Sequence, residues 1–308
     1  MALGLYGYST HFRIILVALV TGGGIGSCPQ LGLKARGNSG KRETGFQKLR
    51  VGSWNIGSLI GKSIELVKSL ERRKINIDCV QETRWVGFKA RDVDGFELWY
   101  SGGSRDRNGV GILVDVDLRE CVVELKRISD RMMFIKLVIG RLIVNVVGAY
   151  APHVGLNEEV KRLFWKDLDE VLRDIPSTKN IFIGGYFSDH ISTTSNGFDD
   201  VHGGFGFRER NGDGISLLEF AKAFELVIAN SCFLKRDDQL VTFSSTVAKT
   251  QIEYLLFWKS DRGLCKDCKV ISNENVTTQH KLLVMDLEIK RVRRKKTLYD
   301  QSRNRWGA

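Results

Sequence analysis

The chain has 308 residues, 43% of them apolar, which allows one large domain or two small ones around a substantial core. Its formal charge of +11 is unevenly spread: residues 1–49 carry six Lys/Arg against one acid, residues 290–308 carry eight against one, and residues 50–289 are left at −1. Composition thus excludes a uniformly basic phosphate-binding body, and the high pI belongs to the two ends. The apolar run Ile14–Val20 is too short for a bilayer, which needs about 20 residues. It also makes a minimal signal peptide, so we read residues 1–48 as a weakly ordered leader and do not expect secretion. Six cysteines without regular spacing read as free thiols in a reducing compartment.

In chain order, Leu49–Trp54 reads as a first strand entering Asn55. Ser63–Lys74 spaces Ile64, Val67 and Leu70 by three, as a surface helix does, and Cys79–Val80 leads a short strand into Glu82. The runs Phe96–Tyr100, Val110–Val114, Val122–Ile128, Met133–Ile139 and Leu142–Ala149 are divided by Gly, Asp or Arg turns, and such a meander is expected to form one sheet. Asn157–Ile175 is the clearest helix, with Asn157 as N-cap and Val160, Leu163, Phe164, Leu168, Val171 and Leu172 on one face.

A second cycle follows: strand Asn180–Phe187, a Gly-rich loop from Ser192 to Gly214, helix Ser216–Glu225 and strand Leu226–Ala229. Short strands at Leu240–Phe243, Ile252–Phe257 and Leu282–Ile289 close a domain spanning 49–289, ahead of a basic tail at 290–308. Two halves of this kind predict a layered α/β sandwich. Cys265 and Cys268 form the only close cysteine pair and read as chance or a structural turn ahead of a zinc or redox site.

Six polar clusters end apolar runs: Trp54-Asn55-Ile56-Gly57, Gln81-Glu82-Thr83, Tyr150-Ala151-Pro152, Gly184-Gly185-Tyr186-Phe187-Ser188, Ile252-Glu253-Tyr254 and Gln279-His280. In order and spacing they resemble the endonuclease/exonuclease/phosphatase superfamily, over roughly Leu49 to Ile289. The segments Gly57–Ser63, Gln81–Gly87 and Asp199–Phe207 resemble one branch more closely, the craniofacial development protein 2-like group, itself similar to endonuclease domains of LINE-type retrotransposons.

The resemblance implies a four-layer sandwich of two mixed, mainly antiparallel sheets flanked by helices, with the site at one edge. It implies Mg²⁺- or Mn²⁺-dependent phosphodiester hydrolysis, with Glu82 as the main metal carboxylate and Asn55 holding metal or phosphate. Tyr150 would donate to the phosphate and His280 would meet the scissile group. Cutting a phosphodiester needs a metal to offset developing charge, a base for water and donors to the phosphoryl oxygens.

Two positions depart from that pattern. Tyr186 stands where the family has Asp, and Ser188 where it has Asn. A phenol with a pKa of about 10 cannot serve as a carboxylate base at neutral pH. Glu253 replaces a family Asp with a longer acid, and Gln279 is read as removing the acid that orients His280.

The expectation is a retrotransposon-derived nuclease fold that binds metal weakly and has lost most or all hydrolysis. The alternatives are an active endonuclease in which Asp189, Glu253 and His280 compensate, and a nucleic-acid-binding module. The run Lys290–Lys296 suits nucleic acid, DNA before RNA, or a nuclear-localisation signal, which places the chain in the nucleus or cytoplasm. Arg105, Arg107, Arg208, Arg210 and Lys249 are read as loop residues able to rim a groove.

Overall fold

The structure is a computed structural model that describes residues 14–15, 46–103, 108–153, 155–188, 190–195, 197–207, 212–274 and 276–290. The strands in chain order are β1 (Ile14–Ile15), β2 (Phe46–Asn55), β3 (Ile77–Gln81), β4 (Gly87–Val93), β5 (Phe96–Gly102), β6 (Val110–Asp115), β7 (Val122–Arg127) and β8 (Met132–Ile139). They continue as β9 (Leu142–Tyr150), β10 (Asn180–Tyr186), β11 (Leu226–Ile228), β12 (Phe243–Ser244), β13 (Lys249–Thr250), β14 (Glu253–Trp258), β15 (Cys265–Ile271) and β16 (Leu282–Lys290). The helices are α1 (Ser63–Arg72), α2 (Glu158–Arg173), α3 (Gly212–Ala223) and the single turn α4 (Asp237–Leu240).

Two seven-stranded sheets face each other. One runs β15-β16-β2-β3-β6-β5-β4 and the other β1-β7-β8-β9-β10-β14-β11. Each contains one parallel pair, β2/β3 and β9/β10, among antiparallel neighbours. The inner faces meet in one apolar cluster that includes Val51, Cys79, Ile112, Val146, Phe182 and Leu255. Helix α1 covers the outer face of the first sheet through Leu66, Val67 and Leu70. Helices α2 and α3 cover the second through Phe164, Leu168, Leu217 and Leu218. The order helix, sheet, sheet, helix is the four-layer sandwich expected from the sequence.

Close approach of the two sheets depends on Gly184. Strand alternation turns it inward with Phe182 and Tyr186, and a Cβ there would stand 3.2 Å from Cys79 Sγ and from a Leu255 methyl. A larger residue would wedge the sheets apart beside the row of polar groups at their edge.

Several expectations are corrected. The meander does not stay in one sheet: β5 and β6 join the first, while β7, β8 and β9 join the second. The switch occurs at a short 3-10 turn, Arg119–Cys121, where Leu118 and Cys121 enter the core between the sheets. Helix α2 has its cap as predicted, with Asn157 Oδ1 accepting from Glu159 N–H at 2.8 Å, but Val160 and Leu163 are exposed. The residues before Phe243 form the turn α4 rather than a strand.

Four strands went unpredicted: β4 and β15, each at a sheet edge, and the two-residue β1, inside the expected leader, and β13. The pair Cys265/Cys268 lies in β15 with both side chains buried, not in a turn. Cys79, Cys232, Cys265 and Cys268 are free thiols, whereas Cys121 is disulfide-bonded, so the reading of six free thiols fails there. Among the described residues no helix is long and apolar enough to cross a membrane.

Candidate active site at the edge of the two sheets

Strand register builds the site. In the second sheet Tyr186 at the end of β10 pairs with Tyr150 of β9 on one side and Glu253 of β14 on the other. Directly paired residues on adjacent strands share a face, so Tyr150, Tyr186 and Glu253 form a row across three strands, turned toward the first sheet. That sheet contributes the ends of β2 and β3, where Asn55 pairs with Gln81, and Glu82 follows at once. His280 lies just before β16, bridged to Phe243.

Glu82 occupies the left-handed region at φ +57°, as do Arg84 at +54° and Ser188 at +61°. A non-glycine residue there carries a strain of about 1–3 kcal/mol, tolerated where the surroundings over-determine it. Backbone bonds supply that restraint: Leu59 N–H to Thr83 O at 3.1 Å, Thr83 N–H to Gly109 O at 3.2 Å and Arg84 N–H to Asn108 O at 3.1 Å. Gly109 is required for this clamp. Its φ is +112°, and a Cβ would stand 2.3 Å from Thr83 Oγ1.

The Glu82 carboxylate is the focus of the donors. Its Oε1 accepts from Asn55 Nδ2 at 2.9 Å and from the Tyr150 hydroxyl at 3.1 Å. Its Oε2 lies 3.5 Å from Arg84 Nη2. Asn55 Oδ1 accepts Gly57 N–H at 3.0 Å, so this amide holds both Glu82 and its own loop. Burial and the neighbouring Glu82 charge hold the Tyr150 phenol well above its ordinary pKa, so it stays protonated.

Tyr186 points into the cluster and is nearly buried. Its ring lies 5.5 Å from that of Tyr150 and 6.0 Å from that of His280. Its hydroxyl is 3.1 Å from Ser188 Oγ and 3.1 Å from Nδ1 of His153. Glu253 is fully buried and bonds His280 Nδ1 through Oε1, while its Oε2 has no partner among the described residues. Burial opposes a charge on His280, but the Glu253 charge and hydrogen bond, with Glu82 farther off, outweigh it and raise the pKa. The acid that orients the imidazole is therefore Glu253. Gln279 is exposed, and the expectation that its side chain marks a missing orienting acid is corrected.

All seven predicted site residues, Asn55, Glu82, Tyr150, Tyr186, Ser188, Glu253 and His280, converge at this edge. Asp189, Arg105, Arg107, Arg208 and Arg210 lie outside the described residues, and Lys249 sits exposed on β13. Sequence reasoning missed His153 and Arg131. The Arg131 guanidinium stands 5.0 Å over the Tyr150 ring and donates to Tyr150 O at 3.3 Å and to Asn108 Oδ1 at 3.0 Å. His153 follows Tyr150-Ala151-Pro152 directly, and that position was the one signal available for it.

Among the described residues no three His, Cys, Asp or Glu side chains gather as a metal-binding group. A hydrated Mg²⁺ needs less, one or two carboxylates completed by water and phosphate oxygens. Glu82 meets that minimum through its less occupied Oε2, while Asn55 Oδ1 already accepts Gly57 N–H and keeps one lone pair to add. The donor set fits a loosely held ion and not an all-protein cage.

Two mixed sheets packed face to face, helices outside and a polar row at one edge define the α/β sandwich of the endonuclease/exonuclease/phosphatase fold. Solved structures share it. They include the endonuclease domain of TRAS1, a telomere-specific non-LTR retrotransposon (TM-score 0.57, 15% identity, 80% of this chain and 100% of that one). They also include the AP endonuclease LMAP from Leishmania major (TM-score 0.60, 12%, 79% and 88%). The 3′ phosphatase NExo from Neisseria, bound to a product DNA hairpin, matches at TM-score 0.57 (12%, 78% and 99%).

In sequence the chain is similar to craniofacial development protein 2 of Bos taurus, 26% identical over 266 residues, 85% of this chain and 44% of that protein. It thus spans less than half the length of that relative. No family model matches the sequence.

Proposed function

We propose that this chain is a nuclease-fold domain of retrotransposon descent that engages nucleic acid, DNA before RNA, at the edge of its two sheets and has lost most or all hydrolysis. The observation that carries the reading is the Tyr186 side chain. It fills the ground between Tyr150 and His280 with a ring, at the position where the resembled family has its water-activating Asp. A protonated phenol supplies no base, and Ser188 beside it supplies a hydroxyl where the family has an amide. One general base is worth about 10² to 10⁴ in rate.

The rest of the constellation keeps the elements of phosphate chemistry. The Glu253–His280 pair offers an imidazolium to an anionic phosphate, and Glu82 offers one carboxylate to Mg²⁺ or Mn²⁺. A bound ion would supply charge neutralisation at the phosphate. Without a base for the water, these groups favour binding over turnover.

A Mg²⁺-dependent nicking assay on plasmid and abasic DNA tests this. Turnover is expected at background and insensitive to Glu82→Ala, whereas robust cleavage abolished by Glu82→Ala would overturn the reading in favour of an active endonuclease.

A further inference from the structure

One chain of hydrogen bonds runs through the site without a break. It passes from Ser188 Oγ to the Tyr186 hydroxyl (3.1 Å), to His153 Nδ1 (3.1 Å), across the ring from Nε2 to the Tyr150 hydroxyl (2.7 Å), and on to Glu82 Oε1 (3.1 Å). Counting protons gives the chain a direction. Tyr150 has one hydroxyl proton and two partners, the Glu82 carboxylate and the His153 ring. An ionised carboxylate only accepts, so the Tyr150 proton goes to Glu82 and its oxygen accepts from the ring. His153 must then carry a proton on Nε2.

The other nitrogen follows. Burial acts first to hold the His153 pKa below its ordinary value. Of the charges facing it, Glu82 favours the imidazolium while Arg131 and His280 oppose it, leaving the ring neutral near pH 7. A neutral ring protonated on Nε2 presents a lone pair at Nδ1. The Tyr186 hydroxyl, at 3.1 Å, is the group placed to donate to it, and with its one proton directed there its oxygen accepts from the Ser188 hydroxyl.

We propose that His153 is a positioning residue that locks Tyr186 across the site: its Nδ1 accepts the Tyr186 hydroxyl while its Nε2–H is anchored through Tyr150 to Glu82. Tyr186 is then held by the same network that orders the metal-side carboxylate, so the ring is a built-in plug and not a bulky side chain left in a vacant seat. The inference rests on the reading that position 186 is the seat of the missing acid. An Asp at 186 would end well short of the place the Tyr186 hydroxyl holds and would leave His153 Nδ1 without its donor.

The test is the protonation pattern of the His153 ring, read by long-range ¹H–¹⁵N correlation on the full chain, with His153→Gln identifying its signals among the five histidines. Near pH 7 the wild-type ring should show the neutral Nε2–H form with Nδ1 in the acceptor range. Tyr186→Phe, nearly isosteric, should shift Nδ1 by removing its donor. An Nδ1–H form or an imidazolium in the wild type, or an Nδ1 signal unmoved by Tyr186→Phe, would overturn the proposal. Cleavage by the wild-type chain would instead overturn the functional reading, so the two failures are distinguishable.

Discussion

Asp78 is the second residue of β3, fully buried, and neither carboxylate oxygen has a hydrogen-bond partner among the described residues. Burial raises its pKa to about 8, so near neutral pH the folded chain holds it largely as the acid. A carboxyl whose folded pKa is raised contributes stability that is fully present below its unfolded pKa and is lost as pH rises through about 8. Between about pH 4 and 8 the loss approaches 1.4 kcal/mol per pH unit. Urea unfolding across this range should therefore show wild-type stability falling relative to Asp78→Asn as pH rises. A difference between the two that stays flat with pH would refute the assignment.

The site residues were legible one by one because each lies at, or within two residues of, one end of a strand in a recognisable cluster. His153 was not legible, since its role comes from the parallel register of β9 and β10, which sets Tyr150 beside Tyr186 and leaves room for one ring to bond both. The misreading of Gln279 has the same origin. Adjacency in sequence suggested the partner of His280, and the partner is Glu253, 27 residues away on β14.

At the scale of elements, strong periodic segments were found and edges were not. Helix α2 carries its signal in both pattern and cap. Asn157→Ala should cost about 1 kcal/mol by removing the acceptor for Glu159 N–H, measurable as a lower urea midpoint with an unchanged slope; an unchanged midpoint would show that water replaces the cap without loss. Strand β4 (GFKARDV) lies mostly exposed at an edge and alternates poorly, so period carried no message there. Strand β15 (CKDCKVI) hides its inward face in two cysteines set among charges, which read as a turn.

The split meander is a different failure. Each strand was seen, but which sheet a strand joins is decided by where the chain crosses the core. Here that is a three-residue turn, Arg119–Cys121, with no sequence signature beyond two apolar residues, Leu118 and Cys121, that turn inward.

For the molecule as a whole, fold and charge separate cleanly. The sandwich spans nearly all of the segment whose net charge is −1, while the basic excess lies at the two ends. A near-neutral body gives its edge little long-range attraction for a polyanion, so we propose that affinity for DNA comes largely from the cations after β16. Residues 291–296 carry five Lys/Arg, and each phosphate neutralised on duplex DNA contributes about −0.9 to the slope of log affinity against log salt. Removing residues 291–308, which leaves β16 intact, should flatten that slope by up to about 4 to 5 and weaken binding most at low salt. The measurement is a salt titration of DNA affinity for the two chains side by side. An unchanged slope would move the binding energy back to the body, where Arg84 beside Glu82 and Arg131 over Tyr150 are the cations set closest to the row of site residues.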